Sequence, residues 1–105
     1  MSNPFDVVRQ FELELCRYTG AKFAVSCTSC TSAILMALAW YKHRYGPMEI
    51  NIPARTYVGV GMSILNAGHG ISFRDEIWRG EYQLHPLPLW DSARRLTSSM
   101  FRPGH

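Results

Sequence analysis

The stretch KFAVSCTSCTSAILMALAWY, Lys22 to Tyr41, decides how the rest of the chain is read. It opens on Phe23-Ala24-Val25, too short for a helix and suited by Phe and Val to a strand. Small polar and thiol residues follow from Ser26 to Thr31, and Ser32 then heads an apolar run of good helix formers, Ala33, Leu35, Met36, Ala37, Leu38 and Ala39. A strand, a tight turn and a helix start together make a place that can hold an anion. The first N–H groups of the helix have no partner within it, and its dipole favours negative charge there. Small side chains let a ligand approach the backbone, and Ser29, Thr31 and Ser32 add hydroxyl donors. The plainer reading is that Thr31 or Ser32 only caps its own helix. This stretch alone leaves both readings open.

Outward from it, the flanking segments read as alternating helices and strands. Before it, Pro4 suits a first helical turn behind Asn3 as N-cap, with Asp6 placing an acid there. Phe5, Val8, Phe11, Leu15 and Tyr18 recur at helical spacing, and Gly20 is a stop, which predicts an amphipathic helix over 4–18. After it, the second helix is expected over 32–44, closed by Tyr45-Gly46-Pro47. No charge occurs from Phe23 to Tyr41, so this helix is expected to be buried on more than one side.

Glu49-Ile50-Asn51-Ile52 reads as a strand ended by Pro53, and a third helix is expected over 56–66 with Gly68 as its stop. Gly59 and Gly61 within it suit the close approach of another backbone or a ligand. Gly70 to Phe73 reads as a further strand, residues 74–85 as an irregular surface loop, and Leu87 to Trp90 as a last strand ending at Asp91. The order predicts an α/β fold with a mostly parallel sheet. Two nearly uncharged helices and a sheet of three or four strands leave little chain to cover them, so a partner surface is expected: a second copy, or further sequence.

Composition narrows the function. A chain of 105 residues with 47% hydrophobic content is expected to form a single domain. Ala33 to Tyr41 falls well short of the ~20 residues a membrane span needs. The start MSNPFDVV lacks the basic and apolar regions of a secretory signal, so a cytoplasmic protein is expected. The net charge of +3 comes mainly from arginine, with Lys22 and Lys42 the two lysines. Arg94, Arg95 and Arg102 suit an anionic ligand or a solvated basic face, and nothing matches a nucleic-acid module. Cys16, Cys27 and Cys30 are too few for a disulfide framework. Cys27 and Cys30 form a C-x-x-C between strand and helix, the setting of a thioredoxin-like redox pair. No second pair of ligands stands at zinc spacing, so no metal is expected.

Taken in order, several pieces of the chain resemble the DegT/StrS-type sugar aminotransferases, pyridoxal-phosphate enzymes of the aspartate-aminotransferase fold. Phe11 to Val25, FELELCRYTGAKFAV, is similar to the family's helix-TGAK-strand opening. Ser29-Cys30-Thr31-Ser32-Ala33-Ile34 resembles its S-G-T-S-A-L, and Ile52-Pro53-Ala54-Arg55-Thr56-Tyr57-Val58 its V-P-A-x-T-[FYW]-V. Asn66-Ala67-Gly68 before a strand and Trp90-Asp91-Ser92-Ala93, like E-D-[AS]-A, complete the set. Each motif is short; together, in register, they span nearly the whole chain.

The resemblance implies the three-layer large domain of that fold, here a single incomplete domain over 1–105. It also implies a phosphate turn at 26–33, a ring-stacking segment at 53–58 and an aspartate segment at 87–93. Cys30, Thr31 and Ser32 would bind the cofactor phosphate, Tyr57 would stack on the pyridine ring, and Asp91 would pair with its nitrogen. Arg94 stands where the family often has a glutamine near the ring hydroxyl, and Cys30 where it has glycine. The loop at 74–85 is far shorter than the family's region. The Schiff-base lysine should follow Asp91 by a few tens of residues, and neither Lys22 nor Lys42 stands there. The expectation is therefore the N-terminal, cofactor-binding part of an aminotransferase that passes an amino group from a donor such as glutamate to a keto-sugar nucleotide, completed by a homodimer partner or a C-terminal portion. Two alternatives stand beside it: a non-catalytic remnant that binds a phosphate ligand or a subunit, and a thioredoxin-like protein working through Cys27 and Cys30.

Overall fold

The structure, a computed structural model, describes residues 4–105; the expected N-cap Asn3 lies outside the described residues. Along the chain run α1 (Pro4–Thr19), α2 (Cys30–Tyr45), β1 (Glu49–Pro53), α3 (Val58–Asn66), β2 (Gly70–Arg74), β3 (Tyr82–Gln83) and β4 (Trp90–Asp91). They fall into two compact units, one of residues up to Ser26 with Leu96–His105, the other of Cys27–Arg95.

In the first unit, α1 carries Asp6 in its first turn and Arg17 in its last, where each complements the helix dipole. Gly20, at φ +86°, closes it by donating its N–H to the Cys16 carbonyl at 2.9 Å. The segment after α1 is not the strand expected at Phe23-Ala24-Val25. It has no ladder partner among the described residues, and Phe23 is 87% and Val25 83% exposed. A strand exists only through a neighbour; here the backbone is tied by a side chain instead. The Glu12 carboxylate accepts the N–H of Ser26 at 2.6 Å and its hydroxyl at 3.0 Å. Those donors hold the Glu12 carboxyl below its usual range. The tail returns to α1: the Ser99 N–H donates to the Tyr18 carbonyl at 2.7 Å and that of Phe101 to the Thr19 carbonyl at 2.8 Å.

The second unit is α/β. β1 and β2 pair in parallel with Ile50 opposite Ile71 and Ile52 opposite Phe73, joined by α3 as the crossover. The core lies between α2, α3 and β1, where Ile34, Leu38, Ile50, Ile52, Val60 and Ile64 are buried together with Leu84 and Leu87. The helices start differently from expectation. α2 begins at Cys30 with Ser29 as its N-cap, and α3 begins at Val58 after Tyr57. α2 is also buried on one side only: Ile34 and Leu38 are covered, but Met36 and Trp40 face outward. Its outer face includes Trp40, whose ring meets Tyr41 and Tyr45 at 5.1 and 6.4 Å between centroids.

The segment expected to be loop, 74–85, is partly ordered and partly core. β3 pairs antiparallel with β4, and Tyr82 and Leu84 are buried. The strand expected at Leu87 to Trp90 is reduced to β4, because Leu84 and Leu87 are closed into a turn by a 2.9 Å bond. The sheet is thus a parallel pair beside an antiparallel one, rather than one mostly parallel sheet. Asn51 joins them by exchanging both backbone bonds with His85, at 2.8 and 3.0 Å. Arg74 adds a second tie, donating to the Asn51 carbonyl at 2.7 Å and to that of Gln83 at 2.7 Å. No helix among the described residues is long and apolar enough to cross a membrane.

Candidate functional site

The start of α2 is built by Ser29. Its extended backbone (φ −162°, ψ 162°) turns the chain into the helix, and its Oγ accepts the Ser32 N–H at 3.1 Å. Its carbonyl takes the Ala33 N–H at 3.1 Å. The N–H groups of Cys30 and Thr31, the first two residues of the helix, precede any partner that the helix itself can supply. The Ser63 hydroxyl, on α3, donates to the Gly59 carbonyl at 2.9 Å and lies 3.4 Å from the Thr31 carbonyl, which places α3 against this turn.

These two residues open on a cavity of about 600 Å³ within the second unit. Of the residues singled out in the sequence, Cys30, Thr31, Tyr57, Asp91 and Arg94 all line it. Ser32 does not. Its hydroxyl is engaged within the turn, with Ser29 at 3.0 Å and Thr28 at 3.4 Å.

Tyr57 stands just before α3 with its ring 70% exposed. The ring folds back over Gly59: a Cβ there would lie 2.6 Å from the Tyr57 ring and 3.3 Å from the Thr31 hydroxyl. The glycine anticipated as a point of close approach therefore makes room for an aromatic face beside the helix start.

Asp91 is buried at 8% exposure, at the end of β4, and is held by uncharged donors. Tyr82 donates its hydroxyl to Oδ2 at 2.8 Å, while the Ala93 N–H reaches Oδ1 at 3.1 Å and the Cys30 thiol reaches it at 3.7 Å. Burial, and then the hydrogen bond to Asp91, push the Tyr82 hydroxyl far above its ordinary value, so it keeps its proton. Burial first, and then the charge of Asp91, push the Cys30 thiol up as well. That shift disfavours Cys30 as an attacking thiol, which needs the opposite one.

The sequence assigns no role to two aromatic residues that line the cavity. Tyr82 and Trp78 lie in the stretch taken for loop, and their rings meet at 4.8 Å between centroids in an edge contact. Trp78 also donates its ring N–H to the Arg55 carbonyl at 2.7 Å, which joins the segment before Tyr57 to the far wall. The signal available was the aromatic pair at 78 and 82 amid charged neighbours. Arg55 and Arg94 bring two positive charges to the cavity, and among the described residues neither forms an ion pair.

A helix start, an aromatic face and a buried carboxylate thus line one cavity of an α/β unit. The chain belongs to the DegT/DnrJ/EryC1/StrS aminotransferase family, whose model matches residues 2–86. The matched segment carries Cys30, Thr31, Ser32 and Tyr57; Asp91 and Arg94 lie beyond it. Comparison with curated proteins and with solved structures gave no match.

The family generally depends on pyridoxal phosphate, and the cavity fits that group on its own terms. A carboxylate has about four acceptor positions. Three donors occupy Asp91, two on Oδ1 and one on Oδ2, which leaves a place open on Oδ2. No cation among the described residues pairs with it.

Proposed function

We propose that this chain is the cofactor-binding part of a pyridoxal-phosphate-dependent aminotransferase, and that the second unit belongs to the three-layer large domain of that fold. The observation that carries this reading is the convergence of Cys30, Thr31, Tyr57 and Asp91 on one cavity. The N–H groups of Cys30 and Thr31 and the Thr31 hydroxyl bind the phosphate at the start of α2, where the dipole adds to the attraction. Ser32 acts through the turn, holding Ser29 in its capping position. Tyr57 fixes the plane of the ring by an offset aromatic contact. Asp91 holds a proton on the ring nitrogen, and Arg94 lies on the same wall to meet a further oxygen of the ligand. Bound there, pyridoxal phosphate supplies the electron sink for amino-group transfer.

The reaction's amine is assigned to neither lysine of this chain. Lys42 lays its side chain over Gly68, roughly 18 Å along α2 from Cys30. In the complete enzyme the amino acceptor is a keto-sugar nucleotide and the donor an amino acid such as glutamate, with a second copy of the chain as partner. The exposed apolar residues of α2, Met36 and Trp40, are consistent with such a contact.

Amide shift mapping tests the assignment. Pyridoxamine phosphate should move the backbone signals of Cys30 and Thr31 and also those around Tyr57 and Asp91. Inorganic phosphate should move only the first group. Shifts confined to the 96–105 tail would remove the proposal.

A further inference from the structure

Tyr82 is a buried side chain at the cavity that carries a hydroxyl and that no expectation from the sequence assigns. It sits directly opposite Asp91 in the β3–β4 pair, so its reach to the carboxylate is set by strand register rather than by a loose rotamer. Its ring is 2% exposed and packed edge-on against Trp78. The hydroxyl is thus delivered to Oδ2 from a fixed direction, and the Ala93 N–H and Cys30 thiol fix Oδ1 from the other side.

We infer that Tyr82 is the positioning residue for the ring-nitrogen contact: it orients the Asp91 carboxylate and leaves its last acceptor place, on Oδ2, turned to the ligand. This rests on the reading of Asp91 given above. The physical consequence concerns a proton. A donor to a carboxylate stabilises its charged form, so a proton shared between carboxylate and ring nitrogen stays on the nitrogen. Tyr82 remains a donor throughout the working pH range, since burial keeps its hydroxyl protonated. Without the hydroxyl, the carboxylate would be both less fixed and readier to take the proton itself.

The test uses the full chain and pyridoxamine phosphate labelled with nitrogen-15 in the ring. In the wild type the bound ring nitrogen should show the chemical shift of a protonated pyridine. Tyr82→Phe keeps the ring and its contact with Trp78, and should move that shift toward the unprotonated value. It should also weaken pyridoxamine phosphate about tenfold, the loss expected for one hydrogen bond to a charged group. Affinity for inorganic phosphate should stay within twofold, which a general loosening of the unit would not allow. If Tyr82→Phe leaves shift and affinity unchanged while Asp91→Ala alters both, the inference about Tyr82 is wrong and the cofactor site stands. If Asp91→Ala alters neither, the site reading fails and takes this inference with it. Should Tyr82→Phe not fold, site-specific 3-fluorotyrosine at position 82 decides the matter. It sharpens the donor without changing its shape, and should keep or increase the protonated signal; a shift toward the unprotonated value would overturn the inference.

Discussion

His69 donates its Nε2 hydrogen to the Leu38 carbonyl at 2.8 Å while its Nδ1 accepts the Met48 N–H at 3.1 Å. The Met48 amide can only donate, so the imidazole is neutral with its proton on Nε2. A histidine at 4% exposure thereby ties α2, whose first turn forms the candidate site, to the chain entering β1. His69→Ala should lower the unfolding free energy by about 1–3 kcal/mol, because it strands the half-buried Met48 N–H. Denaturant titration of His69→Ala and His69→Gln would show it, with Gln recovering part of the loss. Equal stability in wild type and His69→Ala would mean that the bridge contributes nothing.

The one-sided burial of α2 makes a contrasting pair of expectations. Leu38, fully buried in the core, should cost about 2–5 kcal/mol as Leu38→Ala. Met36, 53% exposed on the other face, should stay within about 0.5 kcal/mol as Met36→Ala. A comparable cost for both in a dilute monomer would contradict the packing described.

The difference between these two residues also shows what the sequence could and could not convey. The helices were legible because their signals are local: Asp6 in a first turn, glycines at 20, 46 and 68, all at positive φ, and runs of helix formers between. Strands depend on partners elsewhere in the chain. Phe23 and Val25 look like strand residues and find no neighbour, whereas Tyr82 and Gln83 look like loop and pair with β4. A two-residue strand has no periodicity to read. Nor does the absence of charge from Phe23 to Tyr41 say how many faces are covered. In the site, Cys30, Thr31, Tyr57, Asp91 and Arg94 were singled out from motifs in register and share one cavity. Tyr82 was invisible because its part depends on register with Asp91, which only the folded chain supplies.

The Cys30 thiol has a pH signature. Burial and the Asp91 charge both disfavour the thiolate, so its ionisation midpoint moves up and it reacts only at higher pH than an ordinary thiol. Alkylation of a Cys16→Ser/Cys27→Ser variant should therefore show a midpoint above that of an ordinary cysteine thiol. Replacing Asp91 by Asn removes the nearby charge and should bring the midpoint down. A midpoint well below the ordinary value would instead restore a redox reading of the C-x-x-C.

Calorimetric titration of wild type and Asp91→Ala with pyridoxamine phosphate and with inorganic phosphate bears most directly on the function. Both ligands can use the start of α2, but only pyridoxamine phosphate brings a ring nitrogen to Asp91. Asp91→Ala should weaken pyridoxamine phosphate by about tenfold or more and leave inorganic phosphate nearly unchanged. Equal losses for the two ligands, or no binding of either by the folded chain, would contradict a pyridoxal phosphate site in this cavity.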